Sequence, residues 1–140
     1  MTETQIEIIE DFAMLDQWQD KYEYIIQLGK ELDAIPQDLL KEEDKIKGCQ
    51  SNVWIVSDFN KEENKVYFKG ESDALIVKGL VALVLKVYSG LSPKQIIETE
   101  PEFIKSIGLE THLSATRSNG LASMIKQIKH FAIAYNHLNN

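Results

Sequence analysis

The stretch from Ala74 to Tyr88 constrains the fold most, because Leu75, Ile76, Val77, Leu80, Val81, Leu83, Val84, Leu85 and Val87 leave almost no polar face for water. A helix that is apolar nearly all round has to be buried on several sides, so the remaining chain must wrap it. Lys78 and Lys86 interrupt the run and make it too short and too charged to span a bilayer. Ser72 offers an N-cap for this helix, and Asp73 in a first turn suits the positive end of a helix dipole. Gly79 costs helix propensity in its interior, which predicts a close backbone approach, with the loop around Cys49 as the candidate.

Two helices are expected upstream. Ile6, Ile9, Phe12, Ala13 and Leu15 recur at helical spacing within Met1 to Asp16, and Trp18, Tyr22, Ile25, Ile26, Leu28 and Leu32 do so from about Gln17 to Asp33. Trp18 and Tyr22 read as core aromatics. Beyond Pro36, Gln37 to Lys47 is a mixed-charge connection, either a solvated loop or a mobile segment bordering Cys49. Val53 to Phe59 and Lys65 to Gly70 each alternate around the polar turn Asn60 to Asn64, which predicts an antiparallel hairpin. A lone hairpin is marginal, so a third strand is expected as well.

Downstream, Ser92-Pro93 opens a short helix through about Glu98, and Pro101 precedes another from Glu102 to Ile107, stopped at Gly108. Leu109 to Arg117 reads as a polar connection. A last helix follows from about Ala115 to Leu138, capped by Ser114 and carrying Leu121, Met124, Ile125, Ile128, Phe131, Ala132 and Tyr135 on one stripe. The whole is expected to be one α+β domain over residues 1–140: a small antiparallel sheet packed against several helices.

The chain has one cysteine, which cannot form an internal disulfide and fits a reducing compartment, expected to be the cytoplasm. The acidic start, with Glu3, Glu7, Glu10 and Asp11, is unlike a signal or transit peptide. A formal net charge of −7 argues against a nucleic-acid partner, and no membrane segment is evident. Gly48 permits a tight turn and leaves the following Cys49 uncovered, so the thiol is expected at a loop tip. Lys45 and Lys47 just upstream predict a lowered thiol pKa. A lone cysteine is otherwise most often a small buried hydrophobe.

Three separated motifs give Cys49 its context. Gly48-Cys49-Gln50-Ser51 leads into Val53-Trp54-Ile55; Ser72-Asp73-Ala74 precedes Val77-Lys78-Gly79; His112-Leu113-Ser114 precedes Arg117-Ser118-Asn119-Gly120-Leu121. In this order, over nearly the whole chain, they resemble the SufE family of sulfur-acceptor proteins. The resemblance implies a fold similar to that of iron–sulfur scaffold proteins of the IscU and NifU N-terminal type. It implies that Cys49 bears a persulfide taken from a cysteine desulfurase of the SufS or CsdA type, whose activity the protein stimulates, and passes the sulfur toward an iron–sulfur scaffold complex.

By the same resemblance Gly48, Gln50 and Ser51 shape the cysteine loop, Asp73 lies at a helix end beneath it, and Arg117 lies near it or at the donor interface. His112 is either a site residue or a locally bonded loop imidazole. His130 and His137 are assigned to surface or packing. No cofactor or metal is expected in this chain, the pyridoxal phosphate belonging to the partner desulfurase. A single thiol suits a carrier, since a resolving cysteine would expel the sulfur as a disulfide forms. Two alternatives remain open. One is an iron–sulfur scaffold, which ordinarily needs several thiolates. The other is a cysteine hydrolase with Cys49 as nucleophile and His112 as base.

Overall fold

The computed structural model describes residues 2–33 and 35–138. Its helices are α1 (Glu3–Ala13), α2 (Trp18–Lys30), α3 (Leu75–Tyr88), α4 (Pro93–Glu98), α5 (Glu102–Ser106), α6 (Leu109–His112) and α7 (Ala115–Leu138). Strands β1 (Val53–Asn60) and β2 (Lys65–Ser72) form the hairpin, and two short 3-10 turns, Gln37–Leu39 and Glu42–Asp44, occupy the charged connection. Met1, expected within the first helix, lies outside the described residues.

Nine of the fourteen residues of α3 are buried, as its apolar circumference requires. α2 packs on one side of it, β2 on another and α7 on a third. The α2 contact is unusually close. A Cβ built on Gly29 would stand 2.8 Å from the Gly79 amide nitrogen, and one built on Gly79 would collide with the Ile25 carbonyl oxygen. Gly79 therefore admits the backbone of α2 and not the Cys49 loop expected there. Loss of helix propensity at both glycines is offset by backbone-to-backbone packing that no side chain permits.

Val53 pairs with Ser72 and Asn60 with Lys65, so the hairpin register runs unbroken through both strands. Val53, Ile55, Val66 and Phe68 are buried, as alternation demands. The expected third strand is absent among the described residues, where the sheet has two strands and only single bridges, Lys45 to Trp54 and Val66 to Leu91, lie beyond them. Helices supply the missing support. β2 lies on α3, while α7 brings Tyr135 onto Phe59 with ring centroids 5.0 Å apart and within 2.8 Å of the Ser57 hydroxyl.

The junction between β2 and α3 also departs from expectation. The helix begins at Leu75 with Ala74 as an N-cap lacking a side-chain hydrogen bond, so neither Ser72 nor Asp73 stands at the predicted helical positions. Ser72 completes β2, and its hydroxyl donates to the Asn52 carbonyl at 2.8 Å. Alternation persists two residues further than the sequence pattern suggested, because the ladder partners Val53 and Trp54 remain available to Ser72 and Glu71.

The remaining helices brace this centre. Gln5, fully buried in α1, accepts from the Phe103 N–H at 2.9 Å and donates to the Glu100 carbonyl at 3.1 Å, which ties the chain start to α5. α4 starts with a reciprocal cap between Ser92 and Gln95, with Pro93 in the first helical turn. The segment expected as a polar connection after Gly108 instead contains α6, and Leu109 and Leu113 are both buried. Ser114 caps α7 as anticipated, its Oγ accepting from the Arg117 N–H at 3.2 Å. Among the described residues no helix is long and apolar enough to cross a membrane.

Candidate functional site

Residues 47–52 form a loop closed at its base and folded back on α7. The Ile46 N–H donates to the Val53 carbonyl at 2.8 Å, drawing the two ends together. The Asp73 carboxylate accepts from both the backbone N–H and the side-chain amide of Asn52, at 3.1 and 2.7 Å, so the β2–α3 junction pins the loop where it re-enters the sheet. Asp73 thus acts on the loop through a strand-end turn and not through a helix terminus. At the tip, Gly48 adopts φ of +91°, a left-handed conformation that favours glycine. Any Cβ there would meet the Ser123 hydroxyl of α7 at 2.7 Å.

These constraints bring Cys49 against α7. Its Sγ lies 3.6 Å from the Gly120 carbonyl oxygen, and the thiol is half-buried. A Cβ on Gly120 would sit 3.4 Å from Sγ, so the helix leaves room for sulfur where an ordinary residue would crowd it. Gly120 was not among the candidate residues, although it lies within the third motif. An interior glycine in a long helix is itself a signal of close approach.

Cys49 opens onto a cavity of about 720 Å³ lined by chemically different walls. Ile26 of α2 with Leu75, Ile76 and Leu80 of α3 form an apolar side. Ser114, Thr116 and Arg117, at the start of α7, with Gln50 and Ser51 of the loop, supply its polar lining. Arg117 is exposed, and its guanidinium makes no ion pair among the described residues. The third motif therefore joins the first at one cavity, through Arg117 and not through His112.

His112 faces elsewhere. Its ring stacks on Trp18 at 3.8 Å, its Nδ1 lies 3.1 Å from the Gly108 carbonyl, and its own carbonyl accepts from the Tyr22 hydroxyl at 2.5 Å. Trp18 and Tyr22 are half-buried and pack against the core as expected, at its edge, where they also clamp α6 onto α2. The general-base role considered for His112 has no geometric support. His130 and His137 lie on exposed positions of α7.

The electrostatics reverse one expectation. Lys45 is drawn to Glu42 at 2.8 Å and over the Trp54 ring at 5.6 Å, while Lys47 is exposed. Neighbours in sequence do not supply the positive charge anticipated at the sulfur. Burial instead pushes the Cys49 thiol up from its ordinary value, since desolvation disfavours the thiolate. The tucked thiol holds its proton more tightly than a solvated one, so the tucked loop is favoured below the ordinary thiol range and loses that advantage as pH rises through it. Iodoacetamide alkylation of Cys49 should therefore show a pH midpoint above that of a solvent-exposed cysteine. A midpoint at or below the exposed value would contradict this resting state.

An α+β protein that presents one thiol from a pinned loop, beside an open cavity with an arginine at its polar wall, has the form of a single-cysteine carrier or docking module. Comparison with known proteins narrows this. The family profile of SufE, described as an Fe-S metabolism associated domain, matches residues 6–132. The chain is 46% identical over 126 residues to an uncharacterized SufE-like protein of Rhizobium meliloti (strain 1021), covering 88% of this chain and 90% of that one. An uncharacterized SufE-like protein of Rhizobium etli is 45% identical over 126 residues, covering 88% and 85%. The solution structure of a hypothetical protein from Thermus thermophilus has the same fold, with a TM-score of 0.76, 20% identity and 94% coverage of each chain. The protein belongs to the SufE family, which places it among proteins associated with iron–sulfur metabolism.

Proposed function

We propose that the protein is a sulfur carrier. Cys49 accepts sulfur from the persulfide of a pyridoxal-phosphate cysteine desulfurase, relieves and so stimulates that enzyme, and hands the sulfur to an iron–sulfur assembly scaffold. The observation that carries this reading is the placement of the chain's one cysteine on a pinned loop tip at the edge of an open cavity. Each end of the transfer must reach the same sulfur, and an open cavity provides the approach. The carrier acts in this reading as an accessory to the desulfurase, within the cytoplasm.

The step is an exchange at sulfur. Cys49 thiolate attacks the terminal sulfur of the donor persulfide; a new bond forms between that sulfur and Cys49 Sγ, the donor's S–S bond breaks, and the donor cysteine leaves as thiolate. The proton lost by Cys49 passes to the departing thiolate, and no net oxidation occurs. Burial against α7 disfavours the thiolate, so exposure of the sulfur favours the attack. The scaffold alternative needs several ligands at one place, and among the described residues no group of three His, Cys, Asp or Glu side chains could hold a metal ion.

Intact-mass measurement after mixing the protein with a cysteine desulfurase and cysteine, without reductant, tests the proposal. One or more added sulfur atoms, mapped to Cys49, are expected. No added sulfur while the desulfurase releases alanine would count against the carrier reading.

A further inference from the structure

A second cavity lies on the other side of α7 from the sulfur. Gly120 stands beneath Cys49 Sγ, and at about 100° per residue Ala122 points nearly the opposite way. The cavity there measures about 610 Å³. Ile104 of α5, Leu109 of α6 and Leu113 line it together with Leu121, Ala122 and Ile125 of α7. It follows from the packing: α5 rests on α1 and α6, while α4 rests on α7, which leaves a groove between α7 and the α5–α6 pair. Lys126 and His130 of α7 and Glu110 of α6 border it at exposed positions. Lys129 is engaged by the Ile97 carbonyl at 3.1 Å and by Glu100 at 3.7 Å, whereas Lys126 and Glu110 make no ion pair among the described residues.

We propose that this groove receives an amphipathic helix of a partner protein, about three turns long, with its apolar stripe on Leu113, Leu121 and Ile125 and an acidic residue against Lys126. Its chemistry selects that occupant over others. Away from the charged rim only the Ser118 hydroxyl could orient a small ligand, and charges at the rim of an apolar patch are the pattern of a protein interface. The walls are helices that bond their own backbone, so an extended segment would enter with N–H and C=O groups left unpaired, while a helix satisfies its own. From Ser118 to Lys129, α7 rises about 17 Å, the length of three helical turns. Lys126 on α7 and Glu110 on α6 call for an acidic flank on one side of the incoming helix and a basic flank on the other. Turning that helix end for end exchanges its flanks, so the two rims admit one chain direction. A partner held here leaves Cys49 uncovered, and the site is independent of the role assigned to that residue.

Fluorescence anisotropy with a labelled alanine-based peptide tests this on the full chain. The peptide carries leucines at i, i+3 and i+7, glutamates along one flank and lysines along the other. Saturable binding to the wild type is expected below about 1 mM. Ala122→Arg changes an exposed helical position and fills the groove, which should raise the half-saturating concentration about tenfold or more. Lys126→Glu leaves the apolar lining intact and should raise it about threefold, the scale of an exposed charge pair. A peptide with glutamine in place of every charge should no longer distinguish Lys126→Glu from the wild type. Iodoacetamide should alkylate Cys49 at the wild-type rate in both variants and with peptide bound. No saturable binding by the wild type, or half-saturation of Ala122→Arg within about twofold of it, would overturn the proposal. So would alkylation slowed by the peptide, which would place the peptide at the sulfur.

Discussion

Cys49→Ser is expected to abolish sulfur loading outright and to leave the fold intact. The sequence holds no second cysteine that could substitute, so the loss has no partial form. Structurally the change is mild. A serine hydroxyl can donate to the Gly120 carbonyl that now lies 3.6 Å from Sγ, and the position is only half-buried. The stability change should remain within about 0.5 kcal/mol, a typical value for substitutions that disturb no packed contact. Intact mass after incubation with donor reads the first expectation, and thermal unfolding reads the second. Retained stimulation of the desulfurase by the serine variant would show that the covalent role assigned to Cys49 is wrong.

Gly79→Ala should have the largest effect on stability. The added methyl would collide with the carbonyl of Ile25, and Gly29 on the facing turn already stands against the Gly79 amide. Backbone cannot swing aside as a long side chain does, so α2 must move away from α3. Overpacking of this kind costs typically 1–3 kcal/mol, and a collision with backbone belongs at the top of that range, against a gain of about 1 kcal/mol from alanine's better helix propensity. A net loss of about 2 kcal/mol lowers the midpoint of thermal unfolding by roughly 4–8 °C in a chain of this length. An unchanged or raised midpoint would mean that the two helices do not meet at these glycines.

Much of the framework was legible because its signals are local. The apolar run in α3, the alternation in β1 and β2, the Ser92-Pro93 start of α4 and the Ser114 cap of α7 each depend on residues close in sequence. What escaped depends on distant partners. Gly79 announces that something approaches, but only the folded arrangement identifies α2 as the visitor. Lys45 and Lys47 stand near Cys49 in the chain, yet Glu42 and Trp54 claim the first and water surrounds the second. The number of strands followed the same logic, since α3 and α7 cover surface that a third strand would otherwise protect.

The candidate site divides similarly. Three motifs pointed to Cys49, Asp73 and Arg117, and the structure gathers Cys49 and Arg117 at one cavity while Asp73 holds the loop's far end through Asn52. His112 shares a motif with Arg117 but faces Trp18, because five residues along a turning chain are enough to change direction. Gly120 gained meaning only once Sγ was seen above it.

The backbone contact between Gly29 and Gly79 has a mechanical consequence for recognition. Ile26 and Ile76 sit within one turn of those glycines, on helices locked together by their main chains, so the apolar side of the cavity behaves as an anvil that does not yield. Compliance is left to the opposite components: the Cys49 loop, held at its ends by Val53 and Asp73, and the long side chain of Arg117. Whatever enters the cavity has to fit this side as it stands, and any adjustment falls to the loop and the arginine.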